Sequence, residues 1–312
     1  MAQYKGRRMI HLVGIMIAVS FLTFLLMYLA PGDAATKKLN AQGVAVSEEI
    51  IEKTRESMGL NRPFLVQYGD WALHALQGDL GNSYKDDFPV ADKLVKGLRY
   101  TSILAFTSLA LAFLVALPLA ILTALHKDSL LDDITRLFSF AGNSLPNFLI
   151  SILLMYFLCV RAKLLPTVAN ESFKGLVMPC LALSIPMCGR FIRQFRAELL
   201  EQLGQPYVSG AMLRGVKQRY ILKNVVHNAA IPILTIVGLS IGTLMGGSVV
   251  IETIFRWPGL GKLAMDAITN RDYPVIQGFV LFTSTVYVVI NLLIDICYSW
   301  VDPRLRKNGG RS

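Results

Sequence analysis

Charged side chains are scarce in this 312-residue sequence. They make up 17% of the residues, whereas a soluble domain usually carries about a quarter. Hydrophobic residues reach 54%, and the mean hydropathy is +0.50. The length alone would suit two soluble domains, but this composition argues against them. It predicts an all-α protein whose solvent is largely the lipid bilayer.

Cysteine and histidine are too few and too scattered to suggest a metal site. The four cysteines lie inside apolar runs without C-x-x-C spacing, and the four histidines lie on different segments: Cys159, Cys180, Cys188, Cys297, His11, His74, His126 and His227. The cysteines are expected to be small buried hydrophobes rather than zinc ligands or disulfide partners. No acid, base or ligand set clusters elsewhere, so we expect no metal site, no cofactor and no enzymatic activity.

A phosphate-binding loop is also missing. Gly259-Leu-Gly-Lys262 superficially resembles one, but such a loop requires glycine at 256 and serine or threonine at 263. The chain has Arg256 and Leu263 at those positions. ATP hydrolysis is therefore expected only in a partner subunit.

Long apolar runs are what the sequence has instead. Six are long enough, or nearly so, to cross about 30 Å of hydrocarbon, and they cover residues 9–30, 100–125, 136–160, 176–192, 229–255 and 274–300. The fourth is the weakest, because Pro179 and Pro186 interrupt it. The first could be a cleaved signal peptide, but it is about twice as long as a usual h-region and no A-x-A site follows, so we expect an uncleaved anchor.

The positive charges predict the orientation of these six segments. The chain carries a net charge of +10, which lies in short loops rather than on one basic face, so no nucleic-acid partner is expected. With the N-terminus inside, the inner segments hold 16 Lys and Arg, and the short outer loops hold 6. The positive-inside rule then predicts that both termini are cytoplasmic.

This topology divides the chain into four parts. We expect an N-terminal transmembrane helix at 1–30 and an extracytoplasmic loop region at 31–98, with a helix near Glu48 to Met58. A five-helix core follows at 99–303, with a cytoplasmic loop at 189–228, and a cytoplasmic tail at 304–312.

Small and acidic residues within the fifth and sixth segments are candidates for a translocation path. Gly238, Gly242 and Gly246 recur every four residues, a spacing that lets helix backbones approach closely, so the stripe either packs or lines a path. Glu252 and Asp295 are acids inside apolar segments, which points to function by default or to a structural hydrogen bond. Asn291, one helical turn from Asp295, favours the structural alternative there.

The inner loop carries the most informative pattern. It reads Tyr207-Val-Ser-Gly-Ala-Met-Leu-Arg-Gly215, and Asn-Val-Val-His-Asn-Ala-Ala-Ile-Pro ends at Pro232. Here the chain resembles the membrane permeases of bacterial ATP-binding-cassette importers, whose inner loop has E-A-A, three residues, glycine and then a hydrophobic-proline pair. Ser209-Gly-Ala211 takes the E-A-A place, as in the peptide and nickel branch, where this motif is degenerate. The intervening stretch is one residue shorter than in that branch.

The resemblance to this branch covers nearly the whole chain. The matching stretches are Pro31-Gly-Asp33, Met58-Gly-Leu-Asn-Arg-Pro63, Gln67-Tyr68, Gly78-Asp-Leu-Gly-Asn-Ser83, Ser144-Leu-Pro-Asn-Phe148, Leu165-Pro166, Ile251-Glu-Thr-Ile-Phe255, Trp257-Pro-Gly-Leu-Gly261, Arg271-Asp-Tyr-Pro-Val-Ile-Gln277 and Asp302-Pro-Arg304. Each is weak alone, but together they occur in the branch's order.

The resemblance implies the B-type permease of a dipeptide, oligopeptide and nickel importer, with six transmembrane helices in the type I importer fold. Its partners would be a second permease of C type, two ATPase subunits, an extracytoplasmic binding protein and membrane lipid. The contact with the ATPase would be made by residues of the inner loop: Tyr207, Ala211, Arg214, Gly215 and Val216. The chain would sit in the bacterial inner membrane.

The substrate is less sharply predicted. Five features resemble nickel or metal-chelate permeases more than dipeptide permeases: Ala41-Gln-Gly43, Gln67-Tyr68, Trp71, Ser83-Tyr84 and the short loop 161–175. They favour nickel or a metal chelate, and dipeptides or oligopeptides alone are the alternative. An ion-coupled carrier without an ATPase is a second class of function, but it usually shows inverted repeats and embedded charges, and none is evident beyond two carboxylates.

Overall fold

The computed structural model describes residues 2–30, 32–41, 47–168 and 172–301. It leaves aside the side-chain environments of 2–13, 40–41, 243, 245–247 and 291–301. Within the described ranges the chain is helical, with one isolated β-bridge between Asn82 and Pro89 and no strand. The predictions for Pro31, Gln42, Gly43 and the tail from Asp302 lie outside the described residues. Those for the side chains of Gly246, Asn291, Asp295 and Cys297 lie outside what is described as well.

Thirteen α-helices follow one another along the described chain. They are α1 Ala2–Leu29, α2 Ala34–Ala41, α3 Glu48–Ser57, α4 Phe64–Leu76, α5 Val90–Leu125, α6 Leu130–Ser144, α7 Asn147–Leu154, α8 Phe173–Leu203, α9 Pro206–Leu213, α10 Gln218–Gly247, α11 Val249–Phe255, α12 Leu260–Asn270 and α13 Tyr273–Val301. A π-helical turn, Met155–Arg161, continues α7. The helix expected at Glu48 to Met58 is present as α3, where the Ser47 hydroxyl accepts from the backbone N–H of Ile50 and caps the first turn.

The first of two compact units comprises Met1–Tyr100 and Pro258–Val289. It contains α1 to α4, the first residues of α5, α12 and most of α13. Glycines allow its helices to pack closely: a Cβ on Gly97 would lie 3.1 Å from the Leu260 side chain, and one on Gly278 would lie 2.6 Å from Val90. Of the ten stretches quoted above that match the permease branch, five lie wholly in this unit.

The second unit comprises Thr101–Trp257 and Ile290–Ser312. Its part of α5 buries small residues at helical spacing, including Ala112, Ala116 and Ala120, which permits close packing between helices in a membrane. Phe191 and Phe195 on α8 are fully buried and stack with ring centroids 5.1 Å apart. The core of this unit is therefore apolar and centred on α8.

Helices α6 and α8 pack antiparallel in one continuous register. Asp132 pairs with Arg196 at 2.6 Å. Further along, the backbone of Ser139 lies against Gly189, where a Cβ would approach the Ser139 carbonyl oxygen to 2.7 Å. A Cβ on Gly142 would lie 3.6 Å from the Ile185 carbonyl oxygen, which is an ordinary van der Waals distance. As the α6 residue number rises, the α8 residue number falls by nearly the same amount, so the two helices stay in contact along their length.

The third apolar segment is not the continuous helix expected at 136–160. It is broken into α6 and α7 with its π turn, which meet at an angle of 103°. Leu145, between them, is extended with ψ 131°. The cause is Pro146, because proline disfavours the helical conformation of the residue before it.

The start of α10 is a second difference from the predicted segments. The fifth segment was expected to begin at residue 229, but α10 begins at Gln218. The inner loop predicted at 189–228 is correspondingly short, because α8 continues to Leu203 and only α9 and two connecting turns lie between α8 and α10. Residues 218–228 are polar but helical, and hydropathy alone could not assign them.

Four helices in the described chain are long and apolar enough to cross a membrane: α5, α8, the stretch Gln218–Gly242 and the stretch Tyr273–Ile290. The bent pair α6 and α7 adds a fifth if it counts as one span. Gly14–Leu29 is a shorter apolar helix. The described residues therefore form an all-helical structure with four or five candidate membrane spans, and six spans stay a prediction.

The contact between α6 and α8 makes a direct prediction for stability. Gly189→Ala should destabilise the protein by about 1 to 3 kcal/mol, because the added methyl group overpacks the Ser139 backbone. Gly142→Ala, at the same interface but with ordinary space, is the matched control and should change stability little. Thermal unfolding in detergent, followed by size-exclusion chromatography, measures both. Equal melting temperatures for the two variants would contradict this packing.

Candidate functional site

Helix α9 is the short helix of the inner loop, and its two ends are well defined. Pro206 stands in its first turn, where its missing N–H costs no hydrogen bond. Val208 is buried and anchors the helix, which contacts α10. Arg214 follows α9 and donates from Nε to the Gly210 carbonyl at 3.0 Å.

Gly215 reverses the chain after α9. Its φ is +73°, a conformation that side chains with a Cβ rarely adopt. The Gly215 N–H donates to the Met212 carbonyl, and the Val216 N–H donates to the Ala211 carbonyl, at 3.0 and 3.1 Å. These two hydrogen bonds form a Schellman cap, which satisfies the last carbonyls of the helix. Gly215 therefore ends α9 in a left-handed turn.

The tip of this loop exposes apolar side chains. Leu213 is 90% exposed and Met212 57% exposed, and Tyr207, Val216 and Tyr220 are exposed as well. Ala211 is half-buried. No acidic residue occurs between Glu201 and Glu252, whereas Arg214, Lys217, Arg219 and Lys223 fall within or next to the loop. The loop therefore presents an apolar tip in a basic setting.

The path candidates are placed differently from one another. Gly238 and Gly242 are half-buried on α10. Glu252 is on α11, fully buried, and its Oε1 accepts from the Thr101 hydroxyl at 2.7 Å. The Glu252 carbonyl accepts from the Trp257 N–H at 2.9 Å, across the left-handed residue Arg256. Glu252 therefore joins α11 to α5 within the second unit and is closed off from solvent in this conformation.

A polar cluster around Asp272 in the first unit was not singled out from the sequence. Asp272, 3% exposed, accepts from the Ser83 hydroxyl at 2.5 Å and from the Tyr84 N–H at 2.8 Å. The Lys93 ammonium donates to Ser83 at 2.8 Å and pairs with Asp86. Burial, with the negative charge of Asp272, raises the pKa of Tyr84 to about 12. The motifs ending at Ser83 and beginning at Arg271 were both quoted above, but their separation along the chain gave no signal that they meet.

Arg271 makes a second contact between distant motifs of this unit. A Cβ on Gly32 would lie only 2.7 Å from Cζ of the Arg271 guanidinium, which is too close for a side chain there. This guanidinium also donates to the Ala30 carbonyl at 3.5 Å. Gly32 has φ +119°, so both its backbone and its neighbour favour glycine. The turn after α1 is therefore tied to the turn between α12 and α13.

A cavity of about 500 Å³ opens in the first unit beside these contacts. Its walls combine aromatic side chains with two ion pairs, Arg55–Asp33 at 3.2 Å and Arg62–Asp70 at 2.8 Å. Burial raises the pKa of Asp33, but hydrogen bonds from Thr36 and Arg55 outweigh it, so this pKa lies below the usual value. The described part of the chain holds no group of three His, Cys, Asp or Glu side chains placed to bind a metal ion.

Comparison with known proteins defines the class to which this chain belongs. The model of the binding-protein-dependent transport system inner membrane component matches residues 116–307, and the model of its N-terminal region matches residues 1–105. The chain therefore belongs to this family of ABC importer permeases. Within it, the chain is a B-type permease of the dipeptide, oligopeptide and nickel importers.

Two curated relatives illustrate this branch. The chain is 36% identical to a probable peptide ABC transporter permease, y4tP of Sinorhizobium fredii, over 98% of this chain and 100% of that one. It is 37% identical to the nickel import system permease NikB of Staphylococcus aureus, over 96% of this chain and 90% of that one. The two names indicate different substrates at nearly equal identity, so identity alone does not select a substrate.

A solved structure of the MetNI methionine ABC transporter, in inward-facing conformations, shares the fold. It superposes with a TM-score of 0.54 at 16% identity, covering 67% of this chain and 96% of that one. At this identity the likeness concerns the fold alone, which is that of type I importer permeases.

The Asp272 cluster predicts how the first unit responds to loss of one charge. Asp272→Asn should lower the free energy of unfolding by about 2 kcal/mol, because the charge-assisted hydrogen bonds from Ser83 and Tyr84 are weakened in a buried site. Asp266→Asn is the control, since Asp266 makes an exposed helical pair with Lys262, which is worth at most about 0.5 kcal/mol. Limited proteolysis of residues 77–90 measures the effect. The same cleavage rate in both variants would contradict the role of this cluster.

Proposed function

We propose that the chain is the permease that moves a short peptide or a metal chelate, nickel included, inward across the bacterial inner membrane. ATP hydrolysis in two partner ATPase subunits would drive it. A second, C-type permease would complete the pathway, and an extracytoplasmic protein would deliver the substrate. Family membership supports this general role, and a dipeptide or oligopeptide permease without metal transport is the alternative.

The exposed α9 loop is the observation that carries the coupling proposal. A chain without a phosphate-binding loop needs a surface through which another subunit moves it. Helix α9 offers apolar side chains to a partner, and Val208 with the Schellman cap at Gly215 holds it in place. We infer that Tyr207, Ala211, Arg214, Gly215 and Val216 belong to the contact with the ATPase, with Leu213 as its apolar tip.

The charge distribution supports the side on which this contact would lie. Positive charge concentrates in the segments on the side of α9, and the rule for short loops then makes that side cytoplasmic. ATP is cytoplasmic, so α9 and the ATPase would share one compartment. The same orientation leaves α2 to α4 on the side of the delivering protein or at the membrane surface there.

Metal transport and peptide transport make different demands on the chain. A free metal ion needs clustered ligands, which the described residues do not offer. A chelate or a peptide needs mainly a passage of suitable width, with selection by the delivering protein. Transport of an organic substrate, with or without bound metal, would therefore need no cluster of metal ligands in this chain.

Gly215 tests the coupling proposal. In the assembled importer, reconstituted with its ATPases, Gly215→Ala should lower both substrate uptake and substrate-stimulated ATP hydrolysis several-fold, because alanine resists a φ of +73° by about 1 to 2 kcal/mol. Gly215→Asn should retain more activity, since asparagine tolerates this conformation. Gly210→Ala, on α9 with ordinary geometry, is the matched control and should behave like the wild type. Wild-type uptake and wild-type stimulation of ATP hydrolysis in Gly215→Ala would contradict the proposal.

Glu252 separates a role in the path from a structural one. Glu252→Gln removes the charge but keeps an acceptor for Thr101, whereas Glu252→Leu removes both. If the carboxylate attracts a cationic substrate, uptake should fall at least ten-fold in Glu252→Gln while assembly and ATP hydrolysis persist. Because Glu252 is fully buried against Thr101, we expect the structural outcome, in which Gln transports nearly normally and Leu fails to assemble. Uptake and subunit stoichiometry measured on the same two preparations decide between these outcomes.

A further inference from the structure

Helix α4 has three distinct faces, and one of them is apolar and stays exposed among the residues that the structure describes. At 100° per residue, Phe64, Tyr68 and Trp71 fall on one face. Gln67, Asp70 and His74 fall on the second. Leu65, Leu73 and Leu76 fall on the third, where they are 69%, 61% and 86% exposed. Gly69 and Ala72 complete this third face, which we call the leucine face.

The aromatic face of α4, which carries Phe64, Tyr68 and Trp71, packs against α1. The ring contacts show which part of α1 it lies beside. Phe64 meets Phe21, Phe24 and Tyr28 with ring centroids 5.2 to 5.6 Å apart. One turn later, Tyr68 meets Phe21 and Phe24, and its hydroxyl lies 3.0 Å from that of Ser20.

The partners of Tyr68 therefore lie earlier in α1 than those of Phe64. Helix α4 runs back along α1 rather than away from its end. It is placed beside the last ten or so residues of the apolar stretch Gly14–Leu29, not beyond them.

The polar face of α4 is satisfied by the turn that precedes the helix. Asp70 pairs with Arg62, and the Gln67 amide donates to the carbonyls of Leu60 and Arg62 at 3.0 and 2.7 Å. Asp70 is the only Asp, Glu, Lys or Arg within α4.

The outer side of α1 is apolar and exposed as well. Leu22, Leu26 and Leu29 point away from α4 and are 55%, 67% and 67% exposed. Helices α1 and α4, which lie side by side, thus both expose leucine side chains to their surroundings. Hydrocarbon is the occupant that fits an apolar surface with almost no hydrogen-bonding groups. A helix can lie in the plane of the membrane interface with its apolar face among the acyl chains.

We propose that α4 lies in the membrane interface, in the leaflet that holds the end of α1, with Leu65, Leu73 and Leu76 among lipid acyl chains. Part of the segment predicted as an extracytoplasmic loop would then belong to the lipid-facing surface. This inference goes beyond the transport function, because it depends neither on the substrate nor on coupling to an ATPase.

Adjacent positions on α4 provide matched probes. Leu73→Cys and Leu76→Cys carry a fluorophore sensitive to its surroundings on the leucine face. His74→Cys and Gln77→Cys are their exposed neighbours on the polar side. The four native cysteines are first replaced by serine or alanine, and the assembled importer is reconstituted in nanodiscs of phosphatidylcholine. A site that does not react in the membrane is labelled in detergent before reconstitution.

Two quenchers report the surroundings of each label. Phosphatidylcholine brominated near the carbonyl end of its chains should quench labels at 73 and 76 at least three-fold more than those at 74 and 77. Aqueous iodide should give the opposite order. Iodide quenching at 73 and 76 without lipid quenching would overturn the proposal in favour of an aqueous loop. Shielding of 73 and 76 from both quenchers would overturn it in favour of a protein partner covering the leucine face.

Discussion

Hydrocarbon offers no hydrogen bonds to a polypeptide backbone, and this constraint shapes every part of the described chain. A helix satisfies its backbone groups internally, so helices are the elements that cross or lie in the membrane. Where a helix breaks, other groups take over. At the bend before α7, the Pro146 carbonyl accepts from Leu149 and Ile150. After α11, the Glu252 carbonyl accepts from Trp257 across the left-handed residue. At both interruptions these carbonyl groups therefore have partners within the chain.

The same constraint governs the buried polar side chains. Asp132 faces Arg196, Glu252 faces Thr101, and Asp272 faces Ser83. Each bond joins helices or turns that are far apart in the sequence, and each is buried. Removing one partner of such a pair is strongly destabilising, because the other group keeps the cost of its burial. These bonds therefore specify which helices pack together, while the apolar contacts around them supply most of the energy.

The parts of this fold that hydropathy governs were predictable from the sequence, and the parts that depend on pairing were not. The apolar segments, the helix at Glu48 and the turn at Gly215 all follow from local pattern. The bend at Leu145 also had a local signal in Pro146, which a count of apolar residues ignores. The early start of α10 had none, because its first turns are polar. Ser83 and Asp272 stand 189 positions apart, and nothing near either residue indicates the other. Glu252 could be recognised as unusual, but its burial against Thr101 depends on how α11 packs.

The inner loop combines a fixed shape with an uncovered apolar tip. A helix of eight residues is marginal by itself in water, yet α9 begins at a proline, ends in a Schellman cap and buries Val208. These local features hold its shape without covering Leu213 or Met212. Burying a leucine side chain contributes about 1.5 to 3 kcal/mol, so a partner that covers the tip gains this energy without having to fold the loop. A preformed helix with an uncovered apolar tip is therefore suited to follow a moving partner as a rigid body. A flexible loop would lose part of each displacement to its own rearrangement.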